Sequence, residues 1–449
     1  MKQLSAKRLL VATGFVAAAW SLSAQDQEHE PFTGQWRSFA MGTINHDTLP
    51  DYFTTSFGGR LAWKSPVWNN FQLNAAYYAS IFTGWGNHQE VVNGLKSRYE
   101  VGNYDINNPE KREIYFLGEA SIKYSRGNTT AELGRMKKKS PFINPQDGRM
   151  IPNLIQGLWI THHSEDRKLT ADFAYITHIA PRSTSRFYSV QGAFQYPSGR
   201  SVFGVPSNYA QQVNSNFIAI GHVSYAFSPK HKVQIWDYAV DRVMNTLYVD
   251  YAWVPNAHWK WGIQGVYQGK WDTGGNTDPA LTYFYHDRAS VWGTELQWKP
   301  SHTVISLAYN GFSKSGRFLF PRSWGREGLY TFQKRERSEG VGDAHNLVLT
   351  LSRSWSDHHG SKLDFSVGNG VYFRPAPEEV EFNKYGMPSF TQTNFDLFFR
   401  PSGDLKGLTI EFLAVFKGLV GRSIESLDSK YVHNKVNMLN YQVVLNYNF

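Results

Sequence analysis

From residue 35 onward, apolar and polar residues alternate along the chain with a period of two. The C-terminal segment shows this most clearly, with one apolar series and one amide-rich series: Leu439, Tyr441, Val443, Leu445, Tyr447 and Phe449 alternate with Asn440, Gln442, Val444, Asn446 and Asn448. Because successive side chains of a β-strand point to opposite faces, the pattern predicts strands with one apolar face. The same alternation recurs at 169–175 and 259–268.

Runs of about 9 to 13 residues with this period predict eighteen strands. They lie near 35–45, 54–63, 70–81, 113–125, 128–136, 153–163, 167–178, 217–227, 232–240, 245–254, 259–268, 289–298, 303–311, 346–354, 361–373, 391–399, 406–416 and 438–449. Tilted strands of about 9 to 11 residues cross an outer membrane, whereas strands of globular proteins average about 5 to 6 residues. In lipid, every backbone polar group needs a partner within the protein, so strands of this length predict a closed barrel.

The connections between these strands alternate in length, which predicts short turns at one rim and long loops at the outer rim. The long loops are predicted at 82–112, 137–152, 179–216, 269–288, 312–345, 374–390 and 417–437. Tryptophans flank the short turns and predict an aromatic girdle at one membrane boundary: Trp63, Trp68, Trp253, Trp259, Trp298 and Trp355. The predicted fold is all-β, a transmembrane antiparallel barrel of about 18 strands whose interior is wide enough for an aqueous channel.

The N-terminus has the layout of a secretory signal. Lys2, Lys7 and Arg8 precede an apolar run at 9–20, and small residues follow before a polar stretch. The apolar run is too short to span a bilayer as a helix, so we expect residues 1–24 to be removed on export. The mature chain then has a short N-terminal segment at 25–34 and one barrel domain at 35–449. The predicted location is the bacterial outer membrane.

Composition removes several other classes of protein. The chain has no cysteine, which excludes disulfide frameworks and thiolate metal sites. The net charge is +9 but the basic residues form no block outside the loop at 137–139, so nucleic-acid binding is not expected. No GxSxG, HExxH or P-loop motif is present, and His162 and His163 project to opposite faces of a strand. The sequence therefore predicts neither a catalytic nor a metal site.

Three stretches resemble the OprD family of outer-membrane porins: GRMKKKSPFINPQDGRMIPNLIQGLWI at 134–160, VQIWDYAVDRVMNTLYVDY at 233–251 and FLFPRSWGREGLYTFQKRERSEG at 318–340. The resemblance implies a substrate-selective diffusion channel for small solutes, commonly carboxylates, amino acids or short peptides. It also implies that the third outer loop folds inward and that basic side chains line a path. It implies no cofactor. The terminal Phe449 after an alternating strand is similar to the signal that the barrel-assembly machinery recognises.

The candidate constriction is the loop at 137–152, which combines charges with three prolines that stiffen its backbone. Its charged residues are Lys137, Lys138, Lys139, Asp147 and Arg149. Opposed fixed charges in a narrow aperture concentrate one ion sign and orient a zwitterion. For the three lysines, pairing with lipopolysaccharide or simple hydration at the base of an outer loop is an alternative. Asp147 and Arg149 could likewise belong to a solvated loop.

The strand phase places charges of both signs on the wall of the predicted channel. The basic positions are Arg60, Lys123 and Lys260, and the acidic positions are Glu119, Asp172, Asp250, Glu295, Asp364, Asp396 and Glu411. The wall is therefore not predominantly basic. A preference for anions requires that loop arginines reach inward, and the candidates are Arg182, Arg186, Arg242, Arg335 and Arg337.

Two further functions stay open from the sequence alone. One is a binding or adhesion barrel with a plugged interior that acts through outer loops such as 317–337. The other is a barrel hydrolase, which would need a serine or an acid with a partner histidine on adjacent strands. The expected partners are outer-membrane lipid and lipopolysaccharide, the barrel-assembly machinery and small solutes, and the sequence allows a monomer or a trimer.

Overall fold

The computed structural model describes residues 31–108, 110–146, 148–195 and 197–449. The predicted signal segment 1–24, residues 25–30 and Asp147 lie outside the described residues. No helix in the described part is long and apolar enough to cross a membrane.

Eighteen long strands form one antiparallel sheet in the described residues, as the alternation predicts. In chain order they are β1 Phe32–Ile44, β2 Tyr52–Lys64, β3 Phe71–Gly86, β4 Glu113–Arg126, β5 Thr129–Met136, β6 Leu154–His163, β7 Leu169–Ala180, β8 Ile218–Ser228, β9 His231–Val240, β10 Met244–Asn256, β11 Trp259–Lys270, β12 Arg288–Trp298, β13 Thr303–Phe312, β14 Ala344–Ser356, β15 Lys362–Phe373, β16 Phe390–Arg400, β17 Leu408–Leu419 and β18 Met438–Asn448. The first strand begins at Phe32, earlier than the predicted residue 35.

The sheet closes on itself because β1 pairs antiparallel with β18. The register runs from Gln35 opposite Asn448 to Ile44 opposite Leu439. At the rim of short turns, the Gly34 amide donates to the Phe449 carbonyl at 2.7 Å and the Phe449 amide donates to the Gly34 carbonyl at 3.0 Å. The described strands therefore form a closed barrel with no free edge, which confirms the predicted fold.

The long connections share the rim opposite to the short turns. We number the connections at that rim L1 (45–51), L2 (87–112), L3 (137–153), L4 (181–217), L5 (241–243), L6 (271–287), L7 (313–343), L8 (374–389) and L9 (420–437). Short elements lie in the loops and in one turn: strands Val91–Val92, Leu95–Lys96 and Tyr188–Ser189, α-helices Tyr209–Gln212 and Ser429–Val432, and 3-10 helices Glu100–Asn103, Gln191–Ala193, Gly403–Leu405 and Ile424–Ser426.

The outer face of the barrel is apolar, and the inner face carries the polar residues of the alternating series. Phe173 is 48% exposed and Val443 is 40% exposed, whereas Gln442 is 2% exposed. At the rim of short turns, Trp68 is 74% exposed. The Trp259 and Trp298 rings stack there with their centroids 6.2 Å apart. This arrangement matches the predicted faces and the predicted aromatic girdle.

Two loops, L3 and L7, fold into the barrel and fill one side of it. Trp324 of L7 is 0% exposed and Phe142 of L3 is 1% exposed. They belong to a hydrophobic core that also includes Tyr238 and Val291 on the inner faces of β9 and β12. The interior on the side of β5 to β14 is therefore filled by inward-folded loop segments together with side chains of the wall. Chain returning from the outer rim adds its apolar groups to those of the wall.

Candidate functional site: an arginine-lined constriction

The polar part of the interior contains a cavity of about 350 Å³. It lies between L2, L3, L4 and L7 on one side and the inner faces of β16, β17 and β18 on the other. Among the described residues, eight lining side chains are basic: Arg98, Arg149, Arg182, Arg322, Arg326, Lys334, Arg335 and Arg337. Two are acidic, Glu336 and Glu411. The constriction therefore carries a large excess of positive charge.

L7 crosses the interior and is attached to both sides of the wall. The Tyr330 hydroxyl donates to the Asp250 carboxylate on β10. The Lys334 ammonium lies 2.5 Å from the Asp396 carboxylate on β16 and 2.9 Å from the Glu411 carboxylate on β17. The backbone at Lys334 is also fixed, because the Gln392 side-chain amide donates to the Lys334 carbonyl at 2.8 Å. These contacts fix the segment of L7 that crosses the barrel.

Arg335 and Arg149 lie in the cavity wall, and their hydrogen-bond partners are neutral. Arg335 Nε donates to Asn440 Oδ1 at 2.5 Å and its Nη2 donates to Gln442. Arg149 Nη1 donates to the carbonyl of the preceding Gly148 at 2.7 Å. A Cβ added at Gly102 would lie 2.7 Å from Arg149 Nε, so the glycine makes room for this side chain.

Glu336 is the lining carboxylate that lies deepest among the cations. Its Oε2 is 2.7 Å from Lys417 Nζ and 3.6 Å from Arg98 Nη2. Its Oε1 is 3.6 Å from Arg322 Nη1. Burial opposes ionisation of this carboxyl, but the three cations together hold its pKa below the ordinary value.

The guanidinium groups at the constriction raise each other's electrostatic energy. Burial lowers the pKa of Arg149 and of Arg182 well below the usual value, and the neighbouring arginines lower both further. Burial also lowers the pKa of Arg335. For Arg337, burial lowers the pKa to about 10, although Glu327 opposes the change. Arginine side chains keep their charge in proteins, so the constriction is a concentrated positive field.

The structure places the predicted loop residues in different surroundings. Arg149 lines the cavity and is 4% exposed. Lys138 points to the interior, where its Nζ lies 2.8 Å from Glu132, whereas Lys137 and Lys139 are exposed and do not line the cavity. Asp147 lies outside the described residues.

Of the predicted wall residues, Glu411 lines this cavity, whereas Arg60, Lys123, Lys260 and Asp172 do not. Arg60 is paired with Glu119 at 2.9 Å, and Lys260 lies 3.5 Å from Glu295. Asp172 accepts from Trp159 Nε1 at 3.0 Å and contacts His222 Nδ1 at 2.6 Å, and the half-buried Lys123 lies opposite Glu132 in the strand register. Ion pairs along the wall therefore neutralise Arg60 and Lys260, and hydrogen bonds satisfy the Asp172 carboxylate.

From the sequence, a preference for anions requires that some of five loop arginines reach inward. Three of them do, namely Arg182, Arg335 and Arg337. Arg186 and Arg242 are exposed instead. Sequence reasoning missed the other lining cations, Arg98, Arg322, Arg326 and Lys334. A usable signal was present, because L7 combines Trp324, Leu329, Tyr330 and Phe332 with its charges, a composition that is unusual for a solvated loop.

A closed eighteen-stranded barrel with an apolar outer face and a charged internal constriction defines a channel protein of the porin class. The model of the OprD family of outer membrane porins matches residues 100–330. The chain belongs to this family, and its location is the bacterial outer membrane.

Solved structures agree with this assignment. Acinetobacter baumannii OccAB4 superposes with a TM-score of 0.70 at 13% identity, covering 93% of this chain and 97% of that chain. Pseudomonas aeruginosa OccK9 gives 0.67 at 13% identity, with 93% and 97% covered. Pseudomonas aeruginosa OpdK, solved with vanillate, gives 0.66 at 10% identity, with 94% and 99% covered. At these identities the likeness concerns the fold. Among curated proteins, no sequence matches the chain significantly.

Proposed function

We propose that this porin is a passive channel with a preference for small anionic solutes, carboxylates above all, including amino acids and short peptides that present a carboxylate. The observation that carries the proposal is the lining of the constriction, where eight basic side chains stand against two acidic ones in the described residues. Both acids are already engaged, Glu411 by Lys334 and Glu336 by Lys417. Arg98, Arg322 and Lys334 are also ion-paired, so the lining arginines without an ion pair, such as Arg149 and Arg335, are the ones available to a solute.

The chemistry of the lining favours carboxylates over other anions. Guanidinium groups present paired N–H donors in a planar fork that matches the two oxygens of a carboxylate. In a narrow and partly dehydrated aperture, fixed charges of one sign raise the local concentration of the opposite ion. A cavity of about 350 Å³ has room for a small solute. The related OpdK structure was solved with vanillate, whose name denotes a carboxylate.

The adhesion alternative loses its main support. It assigned the active surface to outer loops that include 317–337, but that segment lies inside the barrel, where Phe318 is 1% exposed and Trp324 is 0% exposed. Deleting it would remove part of the internal core and the segment of L7 that crosses the barrel. A channel is the function that this geometry serves best.

Planar bilayers with purified protein test the proposal. We expect discrete conductance steps in potassium chloride. We also expect acetate added on one side to reduce the chloride current in a concentration-dependent manner, because it competes for the arginines, whereas a small amine leaves the current unchanged. Arg335→Gln should weaken the acetate effect, and Arg242→Gln, at an exposed arginine, serves as the matched control. Equal effects of acetate and amine would contradict the proposal.

A further inference from the structure

Apart from Arg326, whose guanidinium lies 5.3 Å from the centre of the Phe332 ring, four of the lining arginines have no ion pair with a carboxylate in the described part of the chain. The ion pairs among the described residues of the constriction involve Arg98, Arg322, Lys334 or Lys417, and none involves Arg149, Arg182, Arg335 or Arg337. The protein partners of Arg149, Arg335 and Arg337 are carbonyls and side-chain amides. These contacts satisfy donors but do not neutralise charge.

Two buried donors in this group have no hydrogen-bond partner at all in the described residues. They are Nε of Arg149 and Nη2 of Arg337. Arg149 as a whole is 4% exposed, so bulk water does not replace the missing partner. A buried donor without a partner costs about 1 to 3 kcal/mol, and more when it is charged. An orphaned donor next to like charges that form no direct ion pair indicates an acceptor that the described residues do not supply.

The four arginines also come from three different loops. Arg149 lies in L3, Arg182 in L4, and Arg335 and Arg337 in L7. Mutual repulsion among them opposes the packing of these loops against each other. An anion in the cavity would reverse this effect and connect all three loops at once.

We propose that the constriction is a binding site for a doubly charged oxyanion, such as a dicarboxylate or a tetrahedral dianion, held by Arg149, Arg182, Arg335 and Arg337. This inference rests on the proposed anion preference and goes beyond it, because it names the charge and shape of the preferred solute. A single carboxylate has two oxygens and accepts at most two guanidinium forks side by side. Two carboxylates, or the four oxygens of a tetrahedral dianion, can engage all four groups.

The test compares anions of different charge at the same ionic strength in single-channel recordings of the wild-type protein. The probes are succinate for the dicarboxylate, sulfate for the tetrahedral dianion, and acetate for the monoanion. We expect at least one dianion to block the chloride current at a concentration about tenfold or more below that of acetate, since one additional charge-assisted hydrogen bond has an effect of this size. Succinate alone, sulfate alone or both identify the shape that the site accepts.

Arg182→Gln should raise the blocking concentration of the dianion about tenfold and change that of acetate less, whereas the exposed Arg242→Gln should change neither. A second measurement does not depend on variants: the dianion should raise the thermal unfolding midpoint of the wild-type protein in detergent more than acetate at equal ionic strength. Equal potency of acetate and both dianions in both assays overturns this inference. Loss of the anion preference altogether would overturn the proposed function as well, so the two failures are distinguishable.

Discussion

The ammonium group of Lys417 on β17 lies 2.7 Å from the carboxylate of Glu336 on L7, and the two side chains are 0% and 3% exposed. This buried pair attaches the constriction loop to the barrel wall. It also determines where the two flanking arginines point, because Arg335 and Arg337 adjoin Glu336 in the chain. Wall and loop are thus connected beside the cavity.

Lys417→Met should destabilise the protein by about 3 to 5 kcal/mol, because the Glu336 carboxylate would stay buried without its nearest cation. The double variant Glu336→Gln/Lys417→Met should recover most of this loss, since it removes both charges. Urea-dependent unfolding in detergent micelles measures these free energies. Lys430→Met, at an exposed pair with Asp428, is the control and should have little effect. A single variant as stable as the wild type would show that the pair does not hold L7.

Arg317 connects three loops through hydrogen bonds to backbone carbonyls. Its Nε donates to the carbonyl of Glu381 at 2.9 Å, and its Nη1 donates to that of Arg200 at 2.8 Å. Its Nη2 donates to the carbonyls of Ser201, at 2.9 Å, and Val380. Arg317→Leu would leave buried acceptors of L4 and L8 without a donor.

We therefore expect trypsin to cleave Arg317→Leu after Arg200 about tenfold faster or more than the wild type, since unsatisfied buried groups cost about 1 to 3 kcal/mol each. The control is Arg288→Leu, at an exposed arginine. Cleavage sites identified by mass spectrometry distinguish opening of L4 from general unfolding. Identical cleavage rates for Arg317→Leu and the control would exclude a clamping role.

The barrel was predictable from sequence, whereas the arrangement of its interior was not. Adjacent residues of a strand point to opposite faces, so the alternation around Val443 and Phe173 is a local signal. The burial of L7 depends on contacts between residues far apart in the chain, such as Tyr330 with Asp250 on β10 and Lys334 with Glu411 on β17. No local pattern contains these contacts.

The site was predictable in part for the same reason. Arg149 was selected because it lies in a stiff, charged loop, and it does line the cavity. The neighbouring Lys138 was selected on the same basis, but it pairs with Glu132 of the wall. Net charge and loop position are visible in a sequence, whereas the partner that neutralises a charge is defined only by the fold.

His88 of L2 makes stability depend on pH. It is 4% exposed, its ring stacks on Tyr104 at 4.2 Å between centroids, and its Nδ1 lies 3.1 Å from Thr54 Oγ1. Burial, with a smaller effect of Arg112, lowers its pKa from 6.5 to about 4. The unfolded chain therefore binds a proton below pH 6.5 that the folded protein accepts only near pH 4. The stabilisation is complete above that window and is lost as the pH falls through it.

As the pH falls through this window, the free energy of unfolding of the wild type should decrease by up to about 3 kcal/mol because of His88. His88→Gln should remove this part of the pH dependence, whereas His359→Gln, at an exposed histidine, should leave it unchanged. The free energy of unfolding at both ends of the window checks the prediction. Parallel curves for the wild type and His88→Gln would contradict it.

The assignment of the two faces of the barrel leads to a matched pair of variants. Val443→Arg places a charge on the apolar outer face and should destabilise the barrel by about 2 to 4 kcal/mol at the midplane of the bilayer. Ser366→Arg places the same side chain on the inner face, opposite Asp396 in the register, and should be tolerated. Folding yields into lipid vesicles compare the two. Equal folding yields for the two variants would contradict the assigned faces.

The sign of the ion selectivity tests the central claim, a basic constriction in a water-filled path, most directly. In a potassium chloride gradient across a planar bilayer, the reversal potential of the wild-type protein should be displaced from zero toward the chloride equilibrium potential. Arg149→Gln should move it toward zero, and Arg242→Gln should not. A reversal potential of the cation-selective sign for the wild type would contradict the account.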